Sequence, residues 1–392
     1  MSVLIYAKLD PGTGNATSAA RLAAIVGRNH PVILRGLVAG VPEDDAALAC
    51  EVAALRALAA REQLTLAIGI HCYRAGAVLD AAFAGSLPYV LIASGTDLNV
   101  DRLDGDSRQS PPGDSLRSPH RDSLRSQKKP INATLCQAIA HASALIALSP
   151  ELHDKAALLA ELPAEQRPPL TLIPQAPDFA TSSTHSLRSM LHLAPDQKLI
   201  LLPAGIRAVK GVTLAIDSMA PALLEHPDHV FAIVGPVVDR DYHGRCEARI
   251  SAWQQCHPGL VGQLHLLDSL PRPDYLAVLR ETDLLLNTSE SEAVANAVLE
   301  AQGAGVPVLA RDIPGNRAAI TTELNGWLFT DRQSFLTAYR RIFAEPAVRG
   351  RIIAAGRKNY RRSCNPDAEA LAYRQLLADV FKATAEKTRR PK

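Results

Sequence analysis

Short uninterrupted apolar runs alternate with longer stretches of helical spacing along the first half of the chain. Val3–Ala7, Val32–Leu34, Leu66–Ile70, Tyr89–Ile92 and Leu145–Leu148 are the runs, and Ala16–Val26 and Ala46–Arg61 repeat apolar residues with the period of a helix. The second half restarts the pattern. Leu199–Leu202, Val230–Val234, Leu264–Leu267, Leu284–Leu286 and Val306–Leu309 read as strands, with helices around 212–225, 273–281, 293–303 and 333–344. Strands that are apolar without alternation are buried on both faces, which marks a parallel sheet covered by helices.

The pattern predicts an α/β protein of two Rossmann-like, doubly wound parallel-sheet domains facing an interdomain cleft, where such folds bind ligands. The expected domains are 1–180 and 190–358, joined by a polar linker over Pro174–Ser189, with a helix over 359–385 returning to the first domain. Residues 102–130 are almost without bulky apolar side chains and repeat DSLRS at 114 and 122, so a disordered insertion is expected there.

Composition narrows the function. Apolar residues are 47% of the chain and charged ones 21%, the balance of a folded protein. Lys plus Arg (42) nearly cancels Asp plus Glu (40), so no global field draws in nucleic acid or an anionic membrane. Six cysteines form no C-x-x-C pair and read as reduced thiols. No apolar run reaches about 20 residues, so no membrane span is expected. The start MSVLIYAKLDPG lacks a secretory pattern, and the expected compartment is the cytoplasm.

Two segments carry chemistry. Directly after one strand comes Ser289-Glu290-Ser291-Glu292-Ala293-Val294-Ala295-Asn296, entering a helix that holds Glu300. Small residues leave amide groups uncovered at a helix start, where a phosphate is stabilised, and carboxylates hold sugar hydroxyls. Taken alone, Glu292 reads as a cap and Glu300 as part of a solvated face. After the first strand of the second half, Pro203-Ala204-Gly205-Ile206-Arg207-Ala208-Val209-Lys210-Gly211 sets an arginine and a lysine in a glycine-flanked turn, where both can meet one diphosphate. In the first half, Gly12 and Gly14 follow a strand and permit close backbone approach, and His71 follows another. The other histidines, including His226 and His229, form no H-E-x-x-H pattern and read as surface or satisfied core groups, so no metal site is expected.

Together these segments resemble the retaining GT-B glycosyltransferases of family 4, and in particular the group of glycosyltransferase-1-domain-containing proteins. The E-x7-E element falls at Glu292 and Glu300, and the basic loop at Gly205, Arg207, Lys210 and Gly211. The turn Asp312-Ile313-Pro314-Gly315-Asn316 and the strand Asn325-Gly326-Trp327-Leu328-Phe329 follow in order. Gly95-Thr96-Asp97 and Leu172-Ile173-Pro174 match in the first half. Ser94 stands where the family has a histidine, and Ala293 and Ala295 where it has glycines.

The resemblance implies a glycosyltransferase taking a sugar from a nucleotide diphosphate donor, UDP by family frequency, to an unidentified acceptor. Arg207 and Lys210 would neutralise the diphosphate. Glu292 would hold the sugar, with the amides of Val294, Ala295 and Asn296 beside it, and Glu300 would hold the ribose. Asp97 and Gly205 would border the donor site, Gly14 the acceptor side, and His71 would take over part of the missing histidine's role. No cofactor or metal is implied. A nucleotide-sugar epimerase on the same scaffold and a non-catalytic nucleotide-sugar-binding protein stand as alternatives.

Overall fold

The structure is a computed structural model that describes residues 2–10, 13–38, 40–93, 128–149, 167–177, 182–292 and 294–389. The chain divides into two compact units. One gathers residues 1–9, 15–174 and 367–392, and the other residues 10–14 and 175–366.

The first unit is built on a six-stranded sheet of β1 (Ser2–Ala7), β2 (Val32–Gly36), β3 (Leu64–Ile70), β4 (Tyr89–Ile92), β5 (Ala144–Ala147) and β6 (Leu170–Leu172). The strands lie in the order β2-β1-β3-β4-β5-β6, and every pairing is parallel. Val3, Leu4, Ile5 and Tyr6 of β1 are all fully buried, which explains the unbroken apolar run. The helix Pro366–Arg389 belongs to this unit, held by the Arg21–Glu369 ion pair at 3.3 Å and by the buried Tyr373 and Leu377.

The second unit repeats the plan with β7 (Lys198–Pro203), β8 (His229–Val234), β9 (Leu264–Leu267), β10 (Leu284–Asn287), β11 (Val308–Arg311) and β12 (Trp327–Phe329). Their order is β12-β11-β10-β7-β8-β9, again all parallel. Ile200, Leu202, Phe231 and Ile233 face one core, shared with helix residues Val212, Ile216, Met219 and Phe335. Leu199, Leu201, Ala232 and Val234 face the opposite core, shared with Leu276, Leu279, Val298 and Leu299. Successive strand side chains thus enter two separate cores. Each fully buried Leu, Ile or Phe contributes about 1.5–3 kcal/mol, so neither face tolerates polar alternation.

Several expectations are corrected in detail. The helix expected from 293 begins at Asn296, with Ala295 as its N-cap residue in an extended conformation. The end of the expected insertion, 128–130, is the first turn of the helix Lys128–His141, whereas 102–127 lie outside the described residues. The later part of the expected linker is tied down on the second unit. Ser183 Oγ donates to Asp274 Oδ1 at 2.6 Å, Ser186 Oγ donates to Glu281 Oε2 at 2.7 Å, and Leu187–Met190 is one helical turn. Its serines find half-buried carboxylate partners, which composition alone does not show. Among the described residues, no helix is long and apolar enough to cross a membrane.

Candidate active site

In the second sheet the chain reverses its direction of winding between β7 and β10, and in open α/β sheets ligands bind beyond the carboxyl ends of the strands at such a point. Two loops leave the sheet there, 204–211 after β7 and 288–295 after β10.

The basic loop is shaped by its backbone. Ile206 runs beside the chain leaving β8, its N–H donating to Pro236 O at 2.8 Å, and an added Cβ on Gly235 would fall 2.0 Å from Ala204 O. Ala208–Lys210 then form one tight 3₁₀ turn that Gly211 ends at φ +61°, the left-handed region that glycine enters without steric cost. A Cβ there would lie 2.3 Å from Thr288 O, so glycine also lets the two loops touch. Thr288 Oγ1 donates to Lys210 O at 3.0 Å, and Glu290 N–H to Val209 O at 2.8 Å.

These contacts bring Lys210 and Glu292 together. Lys210 Nζ lies 2.5 Å from Glu292 Oε1, and Ser289 Oγ donates to the same oxygen at 2.7 Å. Glu292 Oε2 has no partner among the described residues. Both side chains are largely buried, 21% and 16% exposed, so removing one partner strands a charge in a poorly solvated place. Gly315 supports the arrangement from below, since a Cβ on it would meet Glu292 O at 2.3 Å and Glu292 Cβ at 2.7 Å. Arg207, half-buried on the same loop, makes no ion pair or hydrogen bond through its guanidinium among the described residues. Gly205 lies against Val238, with 3.2 Å between an added Cβ and Val238 Cγ2.

The helix Asn296–Ala304 starts at Ala295 without a side-chain cap, leaving the positive end of its dipole beside Glu292 and Lys210. Val294 is half-buried and Ala295 buried at this start. Glu300 lies further along, 2% exposed, with Arg272 Nη2 at 2.8 Å from Oε1 and Tyr275 Oη donating to Oε2 at 2.9 Å. Burial, and then the charge of Glu300, push the Tyr275 hydroxyl well above its usual range, so it remains a donor.

The sequence missed Arg272, Tyr275 and the supporting contact of Gly315. Each lies more than 20 residues from the glutamate it serves, and only the fold closes those distances. His71, in the first unit, follows β3 at φ +98°. Its Nδ1 accepts from Arg74 N–H at 3.2 Å, capping the helix Arg74–Phe83, which accounts locally for a histidine in that turn. Gly14 begins the helix Gly14–Val26, and an added Cβ would meet nothing within 4 Å. Asp97, with Ser94, Gly95 and Thr96, lies outside the described residues, as do Gly12 and Ala293.

Comparison with known proteins fits this construction. Residues 185–359 match the family described as Glycosyl transferases group 1. The chain is 26% identical over 384 residues to glycosyltransferase 1 domain-containing protein 1 of Xenopus tropicalis, covering 97% of this chain and 98% of that protein. It is 25% identical over 205 residues to a D-inositol 3-phosphate glycosyltransferase of Jonesia denitrificans, covering 50% of this chain and 47% of that one. Among solved structures, sucrose-phosphate synthase from Thermosynechococcus elongatus superposes with a TM-score of 0.75 at 19% identity, over 98% of this chain and 100% of that chain. HepE from Anabaena, in complex with UDP and glucose, gives 0.70 at 17%, over 97% and 100%. Residues 185–359 thus match the glycosyl transferases group 1 family, the chain has the GT-B fold, and the family match and the relatives support a glycosyltransferase.

Proposed function

We propose that the chain is a retaining, metal-independent glycosyltransferase that moves a sugar from a nucleoside diphosphate donor, a UDP-sugar, to an acceptor hydroxyl. The observation that carries this reading is the meeting of Lys210 and Glu292 at the switch point of the second sheet, with the unpaired Arg207 on the same loop. Two cations and an uncapped helix start supply positive charge where the leaving diphosphate gathers negative charge. Glu292 keeps one oxygen on Lys210 and Ser289 and offers the other to the transferred sugar. Glu300, held by Arg272 and Tyr275, accepts the ribose hydroxyls. The choice of UDP follows HepE, which has been solved in complex with UDP-glucose.

In the reaction the bond from the anomeric carbon to the diphosphate oxygen breaks, and its electron pair leaves with the nucleotide. Arg207 and Lys210 stabilise that charge. The acceptor oxygen attacks from the same face and gives its proton to the departing phosphate, so configuration is retained and no protein nucleophile takes part.

A thermal-shift screen of the full chain against nucleoside diphosphates and their sugar conjugates tests the donor, since a selective ligand raises the melting temperature. UDP or a UDP-sugar is expected to give the largest shift. Arg207→Ala with Lys210→Ala is expected to lower turnover by about 10²–10³-fold or more. Glu300→Ala is expected to weaken UDP binding. Unchanged turnover in the double variant, or donor conversion that needs no acceptor, overturns the proposal.

A further inference from the structure

The opposite end of the second sheet holds a cluster with no part in that reaction. The turn between the helix Val212–Glu225 and β8 gathers His226, Asp228 and His229, with one ligand atom from each within 4.8 Å of the others. The two imidazoles lie almost parallel, their centroids 4.6 Å apart and their planes at 11°. His229 Nε2 faces the Asp228 carboxylate at 3.8 Å, and its Nδ1 meets the Tyr339 hydroxyl at 2.6 Å. Phe343 closes the apolar side, its ring centroid 4.3 Å from that of His229.

Three features of this turn are those of a metal site. A metal-bound imidazole has its second nitrogen fixed by a hydrogen-bond partner, which sets the tautomer and aims the lone pair. Tyr339 occupies that position on His229 and leaves Nε2 turned toward Asp228. The turn is also held in shape before any ligand arrives. His229 N–H donates to His226 O at 3.0 Å, and the buried Gln263 amide nitrogen lies 3.3, 3.0 and 3.0 Å from the carbonyls of His226, Pro227 and His229. Finally, access is one-sided, with the His229 side chain 4% exposed and that of Asp228 53%.

We infer that His226, once its half-buried ring turns out of the stack, joins Asp228 and His229 in a binding site for a divalent transition cation, Zn²⁺, with a water molecule in the fourth position. Two imidazoles and a carboxylate are donors for zinc rather than for magnesium or calcium, and three protein ligands leave one position open. Lys198 pairs with His229 and Pro203 with Val234, so the basic loop after Pro203 leaves from the far end of these strands. At about 3.3 Å per residue the two sites lie roughly 16 Å apart along the sheet. The cation therefore clamps a helix end to the first residue of β8, and through Tyr339 to the helix Arg332–Ala344. It stabilises the second unit rather than acting on the donor.

The test uses the full-length, tag-free protein, stripped with a chelator and titrated with Zn²⁺ by calorimetry and with Co²⁺ by absorption. One Zn²⁺ per chain and a raised melting temperature are expected. Bound Co²⁺ is expected to show ligand-field bands without a thiolate-to-cobalt charge-transfer band, which separates this site from the six cysteines. His226→Gln and Asp228→Asn are each expected to weaken Zn²⁺ binding by about tenfold or more, and Tyr339→Phe by about tenfold. Absence of stoichiometric binding, a thiolate band, or unchanged affinity in the His226→Gln/Asp228→Asn variant overturns the inference.

Discussion

Between β7 and β10 the carboxyl ends of the strands carry an arginine, a lysine and a glutamate on two loops that touch. Between β1 and β3, where the first sheet reverses its winding, the same topological position carries Gly14 after one strand and His71 after the other. The two sheets have nearly the same strand plan, so topology explains why each has a crevice and not what each crevice binds. The difference lies in the loops. The second sheet presents fixed charge, with Lys210 and Glu292 paired at 2.5 Å. The first presents a histidine with a left-handed backbone and a glycine with open space around it.

The largest expected effect comes from removing the charge on which this contrast rests. Glu292→Gln keeps the side chain's size and its bond from Ser289 but leaves Lys210 without an anion, and a fall in kcat of about 100-fold is expected from steady-state assays. Equal rates for the two proteins would make the second crevice no more catalytic than the first. Gly211→Ala comes next. It forces an L side chain to φ +61° and against Thr288 O, at a cost of about 1–3 kcal/mol read by thermal or urea unfolding. Gly315→Ala acts on the same loop from below. It displaces Glu292, and kcat is expected to fall by about tenfold because small misplacements of a catalytic group are costly.

The smallest effect on stability, and the sharpest question about the first sheet, belongs to His71→Gly. Relief of a left-handed backbone, about 1–3 kcal/mol, is offset by loss of the cap on Arg74 N–H, about 1 kcal/mol. The melting temperature should therefore move by only a few degrees. Turnover reduced by about tenfold would give His71 a role toward substrate. Unchanged turnover would leave it as a turn residue, and the contrast between the two crevices would become complete.

Much of this was legible in the chain. β1, β4, β7 and β8 were readable because both faces of each strand enter a core, so their apolar runs have no gaps. The meeting of basic and acidic loops was readable because each loop directly follows a strand, and parallel strands place all such loops at one end of the sheet. Short strands were harder. β6 and β12 have three residues each, too few for a period, and were visible only through resemblance. The partners of Glu300 were invisible, since Arg272 and Tyr275 lie on another helix and meet it only when two helices stack on one face. The tied-down linker was misread for a related reason, its serines being polar in composition but bound to Asp274 and Glu281.

The closing helix Pro366–Arg389 has a consequence for how the chain reaches its native state. Apart from residues 10–14, the second unit is a single uninterrupted stretch, whereas the first is completed by a segment made after that stretch. During synthesis from the amino end, the second unit can therefore assemble while its companion still waits for Glu369 to reach Arg21 and for Tyr373 to find its place. A ribosome that stops short of residue 366 would release one finished half and one unfinished half.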